Sequence, residues 1–176
     1  VTDAATALAA TPVFSTRAEA ARRRLLRPWA FRAYLLGRLP LAAAAGLRMV
    51  RLDERECVVR LPGGWRTRNP FGSAYFAAQA MAAEMSTGAP AMILAQGAAV
   101  SVALILREIR GVFTRRILGP STFTFADVAG LAAVVEQAAA SGEPLFYVGR
   151  SLGQDAEGAR CAEFEVTWSF KRRGGA

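Results

Sequence analysis

The chain contains no histidine. That absence removes Ser-His-Asp triads, Cys-His dyads and histidine-ligated zinc in one step. Acid–base chemistry near neutral pH must then rest on a carboxylate, a tyrosine, a cysteine or bound water. Cysteine is scarce as well. Cys57 and Cys161 stand far apart, and neither has metal-ligand spacing around it. They are read as core thiols, and neither a metal nor a cofactor is expected. Lysine occurs once, at Lys171, so the 22 basic residues include 21 arginines. Long apolar runs are missing too. Arg32, Arg38 and Arg48 interrupt the best candidate before it reaches the roughly 18 residues that a membrane span needs. The opening VTDAATALAA lacks the basic leader of a secretory signal, and a cytoplasmic protein is expected.

What is present describes a globular domain. Of 176 residues, 53% are hydrophobic and 20% charged, enough for one sizeable core. The net charge of +8 is spread along the chain, with clusters at Arg22–Arg24, Arg115–Arg116 and Arg172–Arg173. Nucleic-acid recognition needs a basic face with interleaved aromatics or a known module. Neither is evident, so no nucleic-acid partner is expected.

Residues 1–15 are small and polar and are expected to fray. Leu25, Trp29, Arg32–Ala33 and Leu36 recur at helical intervals, and Pro28 divides the stretch into two short helices. This arm, residues 1–38 with its tail, is basic with Leu, Trp, Phe and Tyr interleaved. That composition suits an anionic membrane surface, a bound acyl group, or packing on the arm's own domain. One further helical turn, 39–45, ends at Gly46. Strands follow at 47–52 and 56–61 around the turn Asp53-Glu54-Arg55. The alanine-rich stretch RNPFGSAYFAAQAMAAEMSTG predicts the main interior helix, from Pro70 or Ser73 to Thr87, with Asn69 as N-cap and Gly88 and Pro90 as stops. Beyond it lie strands at 98–110, 112–118 and 122–125, with turns at Gly111 and Gly119-Pro120. Asp127 caps a helix over 128–140, and a hairpin joins 145–152 to 159–171. In its last strand Ala162, Phe164, Val166, Trp168 and Phe170 share one face. Strands joined by short turns predict an antiparallel sheet and an α+β class.

Three segments in this order carry a family resemblance: TRNPFGSAYFAAQAMAAEMSTG, TFTFADVAGLAAVVEQAAASGE and AEFEVTWSFKRR. The chain resembles a hotdog family of uncharacterised, thioesterase-like proteins. The resemblance implies an antiparallel sheet wrapped around a central helix, here over residues 39–173, and a homodimer with sites between subunits. Related phenylacetate-pathway thioesterases carry N-x-x-G-x-x-H-G-G followed by an aspartate near mid-helix. Laid on this chain, the asparagine falls on Asn69 and the first glycine on Gly72. The histidine falls on Tyr75, the paired glycines on Phe76 and Ala77, and the aspartate on Glu84. The resemblance therefore implies an acyl thioester as substrate, Glu84 as catalytic base and Asn69, Gly72, Tyr75, Phe76 and Ala77 as the substrate-binding segment. The residues also allow plainer roles. Asn69 is a good helix cap, Gly72 permits a tight turn, Tyr75 suits a core, and Glu84 could pair with an arginine, within the chain or across a dimer. Tyr75 and Glu84 lie on different helical faces, so a site using both would straddle two subunits. A fold that only binds acyl groups or lipids is the alternative to a hydrolase.

Overall fold

A computed structural model describes residues 12–174 of the chain. Most of the segment expected to fray, residues 1–11, lies outside the described residues. The arm forms two helices, α1 (Thr16–Leu25) and α2 (Pro28–Arg38), parted at Pro28 as the sequence predicts. A third, α3 (Pro40–Ala45), ends at Gly46, whose φ of 75° is the left-handed stop that glycine adopts without strain. Two five-residue strands follow, β1 (Arg48–Leu52) and β2 (Cys57–Leu61). Asp53 closes the turn between them by accepting from the N–H groups of Arg55 and Glu56. After a 3-10 turn at Trp65–Thr67 comes the central helix α4 (Phe76–Gly97). The rest comprises β3 (Val102–Phe113), β4 (Ser121–Phe125), α5 (Val128–Ser141), β5 (Leu145–Gln154) and β6 (Arg160–Arg172).

The six strands form one antiparallel sheet in the order β1-β2-β4-β5-β6-β3. The sheet wraps α4, and α5 lies against both α4 and strands β5 and β6. This is the hotdog arrangement, α+β with an N-terminal helical arm. The alternation read in the last strand holds: Ala162, Phe164, Val166, Trp168 and Phe170 are buried. Phe123, Phe125, Leu131 and Ile93 complete the core, and Ala18, Leu25, Phe31 and Leu35 of the arm join it.

Two expectations are corrected. Gly88 and Pro90 do not end α4, which continues to Gly97. Proline costs the helix one N–H donor, but Ala89, Pro90, Ala91, Ile93 and Leu94 are all buried, and that burial outweighs the lost bond. Gly111 makes no turn either. It lies inside the continuous strand β3, where a Cβ would come within 2.7 Å of the Phe164 ring. The glycine serves ring packing, and residues 114–118 are not a strand.

Small residues let α4 sit close to the sheet. A Cβ on Gly88 would lie 2.8 Å from Glu84 Oε1 and 2.9 Å from the Trp168 ring, and one on Gly149 would lie 3.0 Å from Thr87. Hydrogen bonds fix the contact. The Trp168 Nε1–H donates to Thr87 Oγ1 at 2.9 Å, and Thr87 donates to the Glu84 carbonyl at 3.0 Å. At the preceding residue, the buried hydroxyl of Ser86 lies 2.8 Å from that of Ser151. Gly88→Ala tests this approach. Alanine ordinarily favours a helix over glycine, by about 1 kcal/mol, but here the methyl must displace a packed indole. Urea unfolding should show Gly88→Ala less stable by about 1–2 kcal/mol. Gly37→Ala, on the open side of α2 with nothing within 4 Å of the added methyl, should gain about 0.5 kcal/mol. Equal gains at both positions would refute the close contact.

Candidate functional site

The segment entering α4 is a tied loop. The Asn69 Oδ1 accepts from the N–H groups of Phe71 and Ser73 at 3.0 and 3.1 Å, and its Nδ2 donates to Ser73 Oγ at 3.1 Å. Gly72 takes a φ of 80° inside this loop, the tight turn anticipated for it. Asn69 is therefore a loop clasp and not the helix cap. Its oxygen is spent on the loop's own N–H groups, so α4 starts only at Phe76. The loop is moored by Ala74 N–H to the Ile117 carbonyl and by Tyr75 N–H to the Thr67 carbonyl, at 2.8 and 2.7 Å.

Tyr75 occupies the cap position without a capping side-chain bond. The N–H groups of Ala78 and Gln79 return to the Tyr75 carbonyl, while those of Phe76 and Ala77 have no acceptor among the described residues. Unpaired donors at a helix start attract negative charge. The Tyr75 and Phe76 rings meet edge to face at 4.7 Å, and both are exposed. Tyr75 is thus not the core aromatic that its sequence also allowed. Two cavities flank this entrance. One of about 470 Å³ is lined by Asn69, Tyr75, Phe76, Gln79, Arg115 and Arg116, among others. The other, about 740 Å³ and largely apolar, is bordered by Leu41, Trp65, Tyr75, Ala77 and Met81.

Glu84 stands apart from this cluster. Seven residues separate it from Ala77, roughly 10 Å along the helix axis. It shares the half-buried face of α4 with Ala77, Ala80 and Met81, while Gln79, Ala82, Ala83 and Ser86 face the core. Among the described residues its carboxylate has no ion-pair or hydrogen-bond partner. The arginine pairing considered for it is not made within the chain. Burial with no compensating cation raises its pKa above the usual carboxylate value. The helix turn that carries it is locked through its carbonyl to Thr87 and Trp168, as described above. So the structure gathers Asn69, Gly72, Tyr75, Phe76 and Ala77 at the helix entrance and leaves Glu84 two turns away.

Two residues escape sequence reasoning. Gln79 is buried beside the entrance; its Nε2 donates to the Ala74 carbonyl at 3.0 Å and its Oε1 has no partner among the described residues. Its spacing on the inner face of α4 was the available signal. Tyr34 reaches from α2 and donates to Met92 Sδ at 3.3 Å. Burial raises its pKa first, and the nearby Glu84 charge adds to the rise. No local pattern links Tyr34 to Glu84; only the docking of the arm does.

On the sheet side, β3 is an outer strand. Its inner-face residues Leu106, Ile109 and Phe113 pair in register with the inward row Trp168, Val166 and Ala162, yet all three are exposed.

Comparison with known proteins supports the architecture. The model of a family described as a domain of unknown function, DUF4442, matches residues 27–104. No curated protein matches the chain. A solved structure from Pseudomonas aeruginosa, named a probable thioesterase of unknown function, is similar at 20% identity and a TM-score of 0.68; the match covers 85% of this chain and 99% of that one. A protein of unknown function from Chlorobaculum tepidum gives 14% and 0.69, with 84% and 98% covered. A thioesterase from Haemophilus influenzae gives 14% and 0.59, with 80% and 88% covered. At these identities the likeness establishes the fold.

The raised pKa of Glu84 has a checkable sign. The folded chain holds this proton to higher pH than the unfolded chain does. The group's contribution to stability is full below the ordinary carboxylate pKa and is lost as pH rises through the raised value. Glu84→Gln removes that loss. Its stability relative to wild type should be higher at about pH 8 than at about pH 4, measured by urea unfolding at both. An unchanged difference would show that the carboxylate is solvated.

Proposed function

We propose that the protein hydrolyses an acyl thioester, carried on coenzyme A or on an acyl-carrier protein, and does so as a homodimer. The observation that carries this reading is Glu84: a partly buried carboxylate, without a cation, on a rigidly held helix, in a chain with no histidine to serve as base. A carboxylate with raised proton affinity takes a proton from water more readily. The resulting hydroxide adds to the thioester carbonyl, and collapse of the adduct expels the thiolate, which recovers a proton.

The oxyanion needs donors within hydrogen-bond reach. The free N–H groups of Phe76 and Ala77 are of the right kind, but about 10 Å along the helix separates them from Glu84 in one chain. The carbonyl is therefore served by Glu84 of one copy and the helix entrance of the other. Strand β3 is the natural seam, since its inner row Leu106, Ile109 and Phe113 lacks a cover. The apolar cavity beside Ala77 and Met81 takes the acyl chain, and Arg115 and Arg116 at the other cavity suit the phosphates of a coenzyme. Structural neighbours named as thioesterases support the reaction class.

A second reading, acyl or lipid binding without hydrolysis, has one observation in its favour. Side chains stand at Phe76 and Ala77, where the resembling enzymes carry glycines, and the Phe76 ring meets Tyr75 edge to face at the helix entrance.

Purified protein assayed with short- and long-chain acyl-CoA should show thioesterase turnover, and Glu84→Gln should lower kcat by about 100-fold or more with KM little changed. Binding without turnover in the wild type favours the second reading. Ile109→Arg on the seam should give a folded, inactive monomer by sedimentation velocity. A fully active monomer would end the shared-site model.

A further inference from the structure

The arm carries a surface that the proposed hydrolysis does not use. Helix α2 packs inward through Ala30, Phe31 and Leu35. Its opposite face presents Trp29, Arg32, Ala33 and Leu36, spaced three and four apart, all exposed. Trp29 is 70% exposed, Leu36 62%, and Leu41 at the start of α3 76%. The helical period anticipated for this stretch is therefore real, but beyond the buried Leu25 it marks the outward face of α2. Such large apolar side chains in one outward row need a cover.

Charge identifies the cover. Residues 20–52 contain no aspartate or glutamate and eight arginines. Three of these are engaged. Arg22 binds Glu19 and the Leu52 carbonyl, Arg23 binds Glu19, and Arg51 pairs with Glu56 and Asp53. Arg24, Arg27, Arg32, Arg38 and Arg48 are exposed and have no ion-pair partner among the described residues. Exposed Trp and Leu ringed by unpaired arginines match the boundary of an anionic bilayer, where an indole sits at headgroup depth and each cation near the surface adds attraction. Leucines offer a nucleic-acid base nothing to stack on, and a second arginine-rich copy would be repelled.

We propose that α2 and the start of α3 form a docking surface for anionic membranes, with Trp29, Leu36 and Leu41 inserted at the interface and Arg24, Arg27, Arg32 and Arg38 against the headgroups. The inner side of the same helix carries Tyr34, which sits on α4 near Glu84. A docked bilayer then lies about one helix diameter, ~10 Å, from the central helix. The apolar cavity bordered by Leu41 opens beside the docked face. Lipid contact does not depend on hydrolysis and is read without it.

The test uses the full chain and vesicles of equal parts phosphatidylglycerol and phosphatidylcholine, with pure phosphatidylcholine as control. Co-sedimentation should occur on the anionic vesicles only and weaken with added salt. Arg24→Gln with Arg32→Gln should lower the partition coefficient by about 25-fold, about fivefold for each cation. Trp29→Ser with Leu36→Ser should abolish binding while leaving the thermal melt unchanged, because both positions are exposed. In a Trp65→Phe background, Trp29 emission should shift to the blue on anionic vesicles, against the constant signal of buried Trp168. No binding, or equal binding to neutral vesicles, overturns the proposal. So does self-association that Trp29→Ser abolishes, since a second copy would then be the cover.

Discussion

The fold depends on how closely one helix can lie in the hollow of a curled sheet. Large side chains on the inner face of α4 would hold it off, and the aromatic row of β6 would lose its packing. Alanine, glycine, serine and threonine bring the backbone within reach instead. The indole of Trp168 then finds both a flat methyl-free surface at Gly88 and an acceptor at Thr87. Close packing and hydrogen bonding reinforce each other there, because the hydroxyls of Ser86, Thr87 and Ser151 at this contact are all hydrogen-bonded. The contact also decides where chemistry can happen. The only acid on α4, Glu84, lies one turn before this contact, and its Oε1 and the Trp168 ring come within 2.8 and 2.9 Å of where a Cβ on Gly88 would stand.

That acid gains its character from what surrounds it rather than from a partner. In most catalytic centres a histidine sets the working proton affinity near neutrality. Here the chain has none, and desolvation by a helix of alanines has the same direction of effect on a carboxylate. The loop before the helix makes the complementary arrangement. Asn69 turns its side chain inward to hold the loop, which leaves the opening N–H groups of α4 unsatisfied. One end of the helix thus holds free donors and its middle an unpaired carboxylate, about 10 Å apart along the axis of one molecule.

Much of this was legible before any coordinates. Pro28, Gly46, Asp127 and Gly142 punctuate the chain where sequence rules say they should. The alternation of β6 identified the buried face residue by residue. The misreadings share one cause. Pro90, Gly111 and Asn69 were each interpreted by local propensity, and each is governed by something distant: core burial around Pro90, the Phe164 ring over Gly111, and the loop's own amides around Asn69. The site was half legible. The position of Glu84 and its face could be read from helical spacing. The absence of a partner for it, and the approach of Tyr34 from another helix, arise only from tertiary packing.

The two borders of the sheet are built differently. Strand β1 is five residues long, carries an irregularity between Met49 and Arg51, displays arginines, and has its last carbonyl taken by Arg22. Strand β3 is twelve residues long and bare. A sheet that can be extended at one border only cannot grow into a fibre: when two such borders meet, both are consumed and nothing remains for a third chain. The docked arm blunts β1, which leaves β3 as the border through which the proposed dimer would form.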